Sequence, residues 1–137
     1  MADDSGLSRF QKRMRAIPQA ARDAVVPAIV KGADEIAALQ RQLAPEDTGA
    51  LKESIEVTPP GHSTPKYSQP GGSRVAGELE ALITVGDHTV RYPHLVEFGT
   101  ADTTAQPFFW PGFRLGRKRA ANRVKRAVAK AIRGTKK

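Results

Sequence analysis

The chain has no cysteine, two methionines, and only eight aromatic residues among 137. Without thiols there is neither a disulfide framework nor a thiolate to ligate a metal or attack a substrate, and the redox compartment stays open. Long apolar runs are missing too: no window approaches the roughly 18 apolar residues of a membrane span. The opening stretch, MADDSGLSRFQKRMR, carries acids and no long apolar run. The expectation is therefore a soluble chain with no secretory address and no membrane partner.

Acidic residues are also missing from the last part of the chain. From Arg114 onward there are eleven Lys and Arg and no acid, whereas residues 1–113 hold eleven bases and fourteen acids. The net charge of +8 is thus a property of the C-terminal segment. Apolar residues are only 39% of the chain and lean on alanine. At this length one domain over residues 1–137 is expected, able to bury roughly two thirds of its unfolded surface. So lean a core gains from a symmetric assembly that adds buried area.

Apolar periodicity predicts a helix over residues 7–43. Past Ile17 and Pro18, the residues Ala21, Val25, Ile29, Ala33, Ile36 and Leu43 gather into one stripe at 3.6 residues per turn. Pro27 lies inside this pattern, where it removes a donor and crowds the preceding turn, so a kink, a break or a fresh helix start is expected near Val26. Pro45 stops the helix. Asp47, Thr48 and Gly49 read as a turn or cap, the side-chain oxygens accepting backbone N–H groups and the glycine giving backbone freedom.

A short strand is predicted over Ser54–Thr58, with Ile55 and Val57 on one face, and a better one over Leu79–Val85. Gly86-Asp87 suggests a tight turn into a return strand, His88–Tyr92, ended by Pro93. Between the strands, residues 58–77 hold four prolines and three glycines before Gly77. So long a segment without its own pattern reads as a mobile loop that orders against partners. The last element is a helix beginning between Pro107 and Pro111, with Phe109, Phe113, Gly116, Ala120, Val124, Ala127 and Ala131 on one stripe and basic residues on the others. Gly134 is a natural stop, leaving a basic tail at 134–137. The fold class is therefore α+β: a long N-terminal helix, a small antiparallel sheet with a hairpin and a long loop, and an amphipathic basic C-terminal helix.

Little here resembles a catalytic or cofactor site. The three histidines, His62, His88 and His94, lack ligand spacing, alone or with Glu97. No Ser, Thr or Asp stands in a nucleophile context, and the glycines of PPGHSTPKYSQPGG form no phosphate-cradling loop. Glu46, Asp47, Glu53 and Glu56 are close in sequence, yet capping and surface charge account for them better than paired carboxylates. No cofactor, metal or enzymatic activity is expected. The basic helix admits two readings, contact with phosphates or a solvated face that meets an acidic protein, and it lacks the interleaved aromatics that stack on bases. Its candidate contact residues are Arg117, Lys118, Arg119, Arg123, Lys125 and Arg126.

Six of the eight aromatic residues fall in one stretch, YPHLVEFGTADTTAQPFFWPGF, Tyr92 to Phe113. Tyr92 and Phe98 are expected to anchor it inward. Phe108, Phe109 and Trp110 are consecutive, so on a helical turn they point about 100° apart and cannot all face one core. They mark a candidate subunit interface, together with Phe113 and Glu97.

These residues carry a family resemblance. APEDTGALKESI and YPHLVEFGTADTTAQPFFWPGF resemble the tail-completion family of long-tailed bacteriophages, which includes neck proteins and tail terminators. The first motif falls on Pro45, Thr48, Gly49, Leu51, Ser54 and Ile55. The second falls on Tyr92, Val96, Glu97, Phe98, Gly99, Thr100, Gln106, Pro107 and Phe108. The likeness extends in order and spacing over residues 7–133, departing at Pro27 and at the bulky Trp110-Pro111-Gly112. It implies a structural virion protein that forms a homo-oligomeric ring, usually a hexamer, at the head-proximal end of the tail. Such a ring ends tail-tube polymerisation and meets the tail-tube protein on one side and the head-tail connector or stopper on the other. It also implies assembly in the host cytoplasm and transient, non-specific contact with DNA in the lumen. The alternatives are a head-tail adaptor or stopper and, from another class, a basic nucleic-acid-binding protein.

Overall fold

The structure, a computed structural model, describes residues 9, 12, 18–45 and 49–135. Most of the predicted helix before Pro18 therefore lies outside the described residues, as do Asp47 and Thr48 of the expected turn and the last two residues of the basic tail.

Helix α1 spans Gln19–Leu43 and starts from an extended Pro18, whose carbonyl accepts the Ala21 and Arg22 amides. It buries Ala21, Val25, Gly32, Ala33, Ile36, Ala37 and Gln40. The break expected near Val26 does not occur, for α1 runs through Pro27 without interruption. Pro27 and Asp23 are both exposed, so the carbonyl that loses its donor lies on the watery side of the helix, where solvent can satisfy it. Leu43, expected in the apolar stripe, is 42% exposed at the helix end.

Gly49, at φ 80°, turns the chain into the short helix α2, Ala50–Glu53, which seats Leu51 in the core. Strand β1, Glu56–Thr58, pairs antiparallel with β2, Leu82–Thr84, with Val57 opposite Ile83. Both strands are shorter than the alternation suggested. The return strand expected over His88–Tyr92 is absent. Asp87 instead closes a turn, its Oδ1 accepting the Thr89 and Val90 amides at 2.8 Å while its own amide donates to the Val90 carbonyl. That side-chain competition with the ladder is what Asp does after glycine.

Residues 59–81 leave the sheet and return, and the excursion is not structureless. Thr64 donates its amide to Arg74 at 2.8 Å, Ala76 donates to His62 at 2.8 Å, and Gln69 exchanges both backbone bonds with Val85. Thr64, Ser68 and Ala76 are buried in it.

Helix α3, Pro93–Phe98, follows, with proline in its first turn, and helix α4, Phe109–Thr135, closes the chain. The helices α1 and α4 lie antiparallel and very close. A Cβ added to Gly32 would come 3.0 Å from the Ala120 Cβ, one on Gly116 would come 2.9 Å from Ile36, and one on Gly112 would come 2.8 Å from the Gln40 Cα. The core is continuous from this seam to the sheet: Ala37, Ala44, Leu51, Ile55, Val85, Val90, Phe108 and Phe109. These elements give the expected α+β class.

Candidate assembly surface

Gly99 ends α3 at φ 76°, and a side chain there would collide with the Ala105 amide at 2.8 Å and the Thr103 carbonyl at 2.9 Å. Only glycine lets the loop 100–107 fold back so tightly. Thr100 and Thr103 exchange backbone bonds across that loop, and Gln106 donates its amide to the Val96 carbonyl at 2.8 Å. The loop thereby delivers the start of α4 onto the inward face of α3, where Glu97 waits.

The Glu97 carboxylate accepts three backbone amides, Phe108 and Phe109 on Oε1 at 2.9 Å each and Trp110 on Oε2 at 3.3 Å. Those are orphan donors of the first turn of α4, and a carboxylate there also meets the positive end of the helix dipole. Glu97 is buried within its own chain. The Glu of V-E-F-G-T and the aromatics of Q-P-F-F-W, some ten residues apart, thus form one local device. Opposite it, Gln40 Nε2 donates to the Phe109 carbonyl at 2.9 Å, a buried polar contact that sequence periodicity hid by placing a glutamine on an apolar stripe.

The aromatic run divides as its geometry requires, but not along the expected line. Phe108 is fully buried and Phe109 nearly so, whereas Trp110 is 38% exposed and Phe113 half-buried. Edge-to-face contacts chain them together: Phe108 to Phe109 at 6.5 Å, Phe109 to Trp110 at 5.1 Å, Trp110 to Phe113 at 6.0 Å. The expectation that Tyr92 and Phe98 anchor inward is overturned. Phe98 is 71% exposed and Tyr92 39%. Helix α3 turns Pro93 and Glu97 inward, four residues apart, so Leu95 and Phe98 fall on its outer side.

The result is a short helical ridge between two clefts. One, of about 230 Å³, is walled by Pro70, Val85, Pro93, Phe98, Phe108 and Trp110 and is almost wholly apolar. The other, of about 270 Å³, lies against Pro45, Leu51, Tyr92, Leu95, Val96 and the threonines of the 100–107 loop. Exposed Leu95, Phe98, Tyr92 and Trp110 around one ridge form a cluster of apolar surface, the kind that marks a contact with another protein.

The basic candidates separate into two sets. Arg119 and Arg123 pair with Glu35 across the α1–α4 seam. Arg117, Lys118, Lys125 and Arg126 are exposed and make no ion pair with any described residue. The histidines lie apart: His62 contacts the Pro60 carbonyl, and His94 meets the Gln69 amide at 3.0 Å. Among the described residues no three His, Cys, Asp or Glu gather where a metal ion could sit.

A family model described as "Bacteriophage HK97-gp10, putative tail-component" matches residues 8–99. The chain belongs to this family. It is a phage tail component, as the resemblance implied, and its class of work is structural. The matched residues include Gly49, the sheet and Glu97 with its ridge, and they end before the capped helix α4. No curated protein and no solved structure matches the chain. None of the described helices is long and apolar enough to cross a membrane.

Proposed function

We propose that this tail component is the ring-forming subunit that terminates the tail tube at its head-proximal end and joins tail to head. The observation that carries this reading is the α3 ridge. A ring needs two different surfaces on each subunit, because head-to-tail contacts close by rotation and not by self-complementarity. The ridge supplies projecting apolar side chains, Phe98 and Leu95, beside clefts able to receive side chains from a neighbour. Glu97 ties the ridge to α4, so the surface is held in one geometry before assembly. Six copies form the ring in this proposal, with the tail-tube protein on one face and the connector or stopper on the other. Assembly takes place in the host cytoplasm, and the mature ring resides in the virion.

Incubating the purified protein with growing tail tubes tests the proposal. Tubes whose length freezes on addition, with a ring visible at one end in negative stain, are the expected result. If the tubes keep growing while the protein binds purified connectors, it is an adaptor or stopper and the terminator role fails. A strict monomer at all concentrations rules out any ring.

A further inference from the structure

We propose that Leu115 of α4, with Arg114 and Lys118 beside it, docks into the second cleft of a neighbouring copy of this chain, where the two cations meet Glu53 and Asp102 of that copy. This names the partner surface within the ring and rests on the ring reading. Leu115 is 67% exposed, the most exposed large apolar residue of α4, so it does not fill a cleft of its own chain. Arg114, Leu115 and Lys118 fall within about 100° of the helix circumference and form one face. Both cations are exposed and make no ion pair with a described residue. The result is an apolar knob with a positive flank.

The second cleft offers the opposite pattern. Pro45, Leu51, Leu95 and Val96 give its 270 Å³ an apolar lining. Two of its walls, α2 and the loop 100–107, also carry Glu53 and Asp102, both exposed and without an ion pair to a described residue. The bases near these walls in sequence do not cancel that charge. Lys52 is half-buried, Arg41 donates to the Ile55 carbonyl at 2.7 Å, and Arg91 lies 4.1 Å from the centre of the Tyr67 ring. The first cleft lacks this complement, because the one carboxylate among its lining residues, Glu97, is committed to the amides of α4. A chain of net charge +8 repels its own copies unless opposite charges meet at the contact. A self-complementary contact of α4 on α4 would set cations against cations, whereas a knob entering the next copy's cleft repeats in one direction and can close a ring.

Two charge-reversal variants of the full chain test this by sedimentation velocity, Arg114→Glu/Lys118→Glu and Glu53→Lys/Asp102→Lys. Each alone should need about tenfold more protein than wild type to reach half-assembly. Mixed in equal amounts they should associate again. The intact cleft of the first takes the cationic knob of the second, and the reversed cleft of the second takes the reversed knob of the first, an alternation that closes in an even-numbered ring. Leu115→Ser should weaken association while its circular dichroism melt matches wild type, since the side chain is exposed in one chain. If both reversal variants, or Leu115→Ser, associate as wild type does, the contact lies elsewhere; the proposal fails and the ring stands. Loss of association in both reversal variants that mixing does not restore also overturns it. A wild-type chain that stays monomeric at every concentration removes the ring reading itself, and this contact with it.

Discussion

Glu97 shows how one side chain converts a motif into a structure. Its carboxylate takes up three amides at the start of α4 from a buried position, so its removal leaves the buried Phe108 and Phe109 amides without their acceptor. Glu97→Ala should destabilise the chain by about 2–4 kcal/mol in guanidinium melts, and Glu97→Gln by less, because the amide oxygen still accepts. Equal losses in the two variants would mean that volume, not hydrogen bonding, is what Glu97 contributes. Asp87 gives a second prediction through its turn. Its carboxyl is held below the ordinary value of 3.8, first by the Val90 amide and next by the Thr89 amide, with slight burial opposing and His88 adding a weak attraction. A carboxylate depressed in the folded chain contributes stability above its unfolded pKa, and that contribution is lost as pH falls through the folded value. Asp87→Asn should therefore be less stable than wild type at neutral pH, and the gap should close below about pH 4. Urea denaturation across that range checks it. A gap that widens on acidification contradicts the assignment.

At the scale of elements, the α1–α4 pair depends on glycines that helix propensity alone would disfavour. Alanine at Gly112 gains about 1 kcal/mol of propensity but places a Cβ 2.8 Å from the Gln40 Cα and 2.9 Å from its amide nitrogen. Backbone cannot yield as a flexible side chain does, so Gly112→Ala should lower the melting temperature measurably. Gly134→Ala, where nothing lies within 4 Å, should be neutral or raise it. If Gly112→Ala also raises it, the two helices are not packed at this distance. The same pair explains why Pro27 leaves α1 intact: tertiary packing on α4 holds both halves of the helix in line, and the missing bond faces solvent.

For the whole molecule, the consequence is a division of surface. The ridge of α3 is apolar and aromatic, and α4 between Arg117 and Lys130 exposes cations with small residues between them. Phe98→Ser should weaken self-association seen by sedimentation while lowering the monomer's melting temperature little, since Phe98 is 71% exposed. Trp110→Ala, whose ring also packs on Phe109 and Phe113, should weaken self-association more than it lowers the melting temperature. If either variant loses its cooperative melt and associates normally, that residue belongs to the core. Of the run Phe108–Trp110, Phe108 and Phe109 are buried within one chain, so a subunit contact in the folded chain falls to Trp110 and its neighbours on the ridge.

Periodicity, turn chemistry and charge order determined much of this protein by themselves. The long helices, the places of the two short strands, the Pro45 stop and the concentration of positive charge after Arg114 were all legible in the sequence, because each depends on residues close together along the chain. The pairing of the two strands with each other was not, because it joins distant residues. The motif pair around Gly49 and Glu97 was legible as a family likeness, though not as a mechanism. Only the tertiary structure decided that Glu97 points inward while Phe98 points out, that Asp87 closes a turn in place of a return strand, and that two of six candidate cations share Glu35 as an ion-pair partner. Those outcomes follow from contacts between residues distant in sequence, or from a competition between side chain and ladder that alternation does not register. A six-residue helix has one inward face, and which residues occupy it is set by where the loop 100–107 delivers α4.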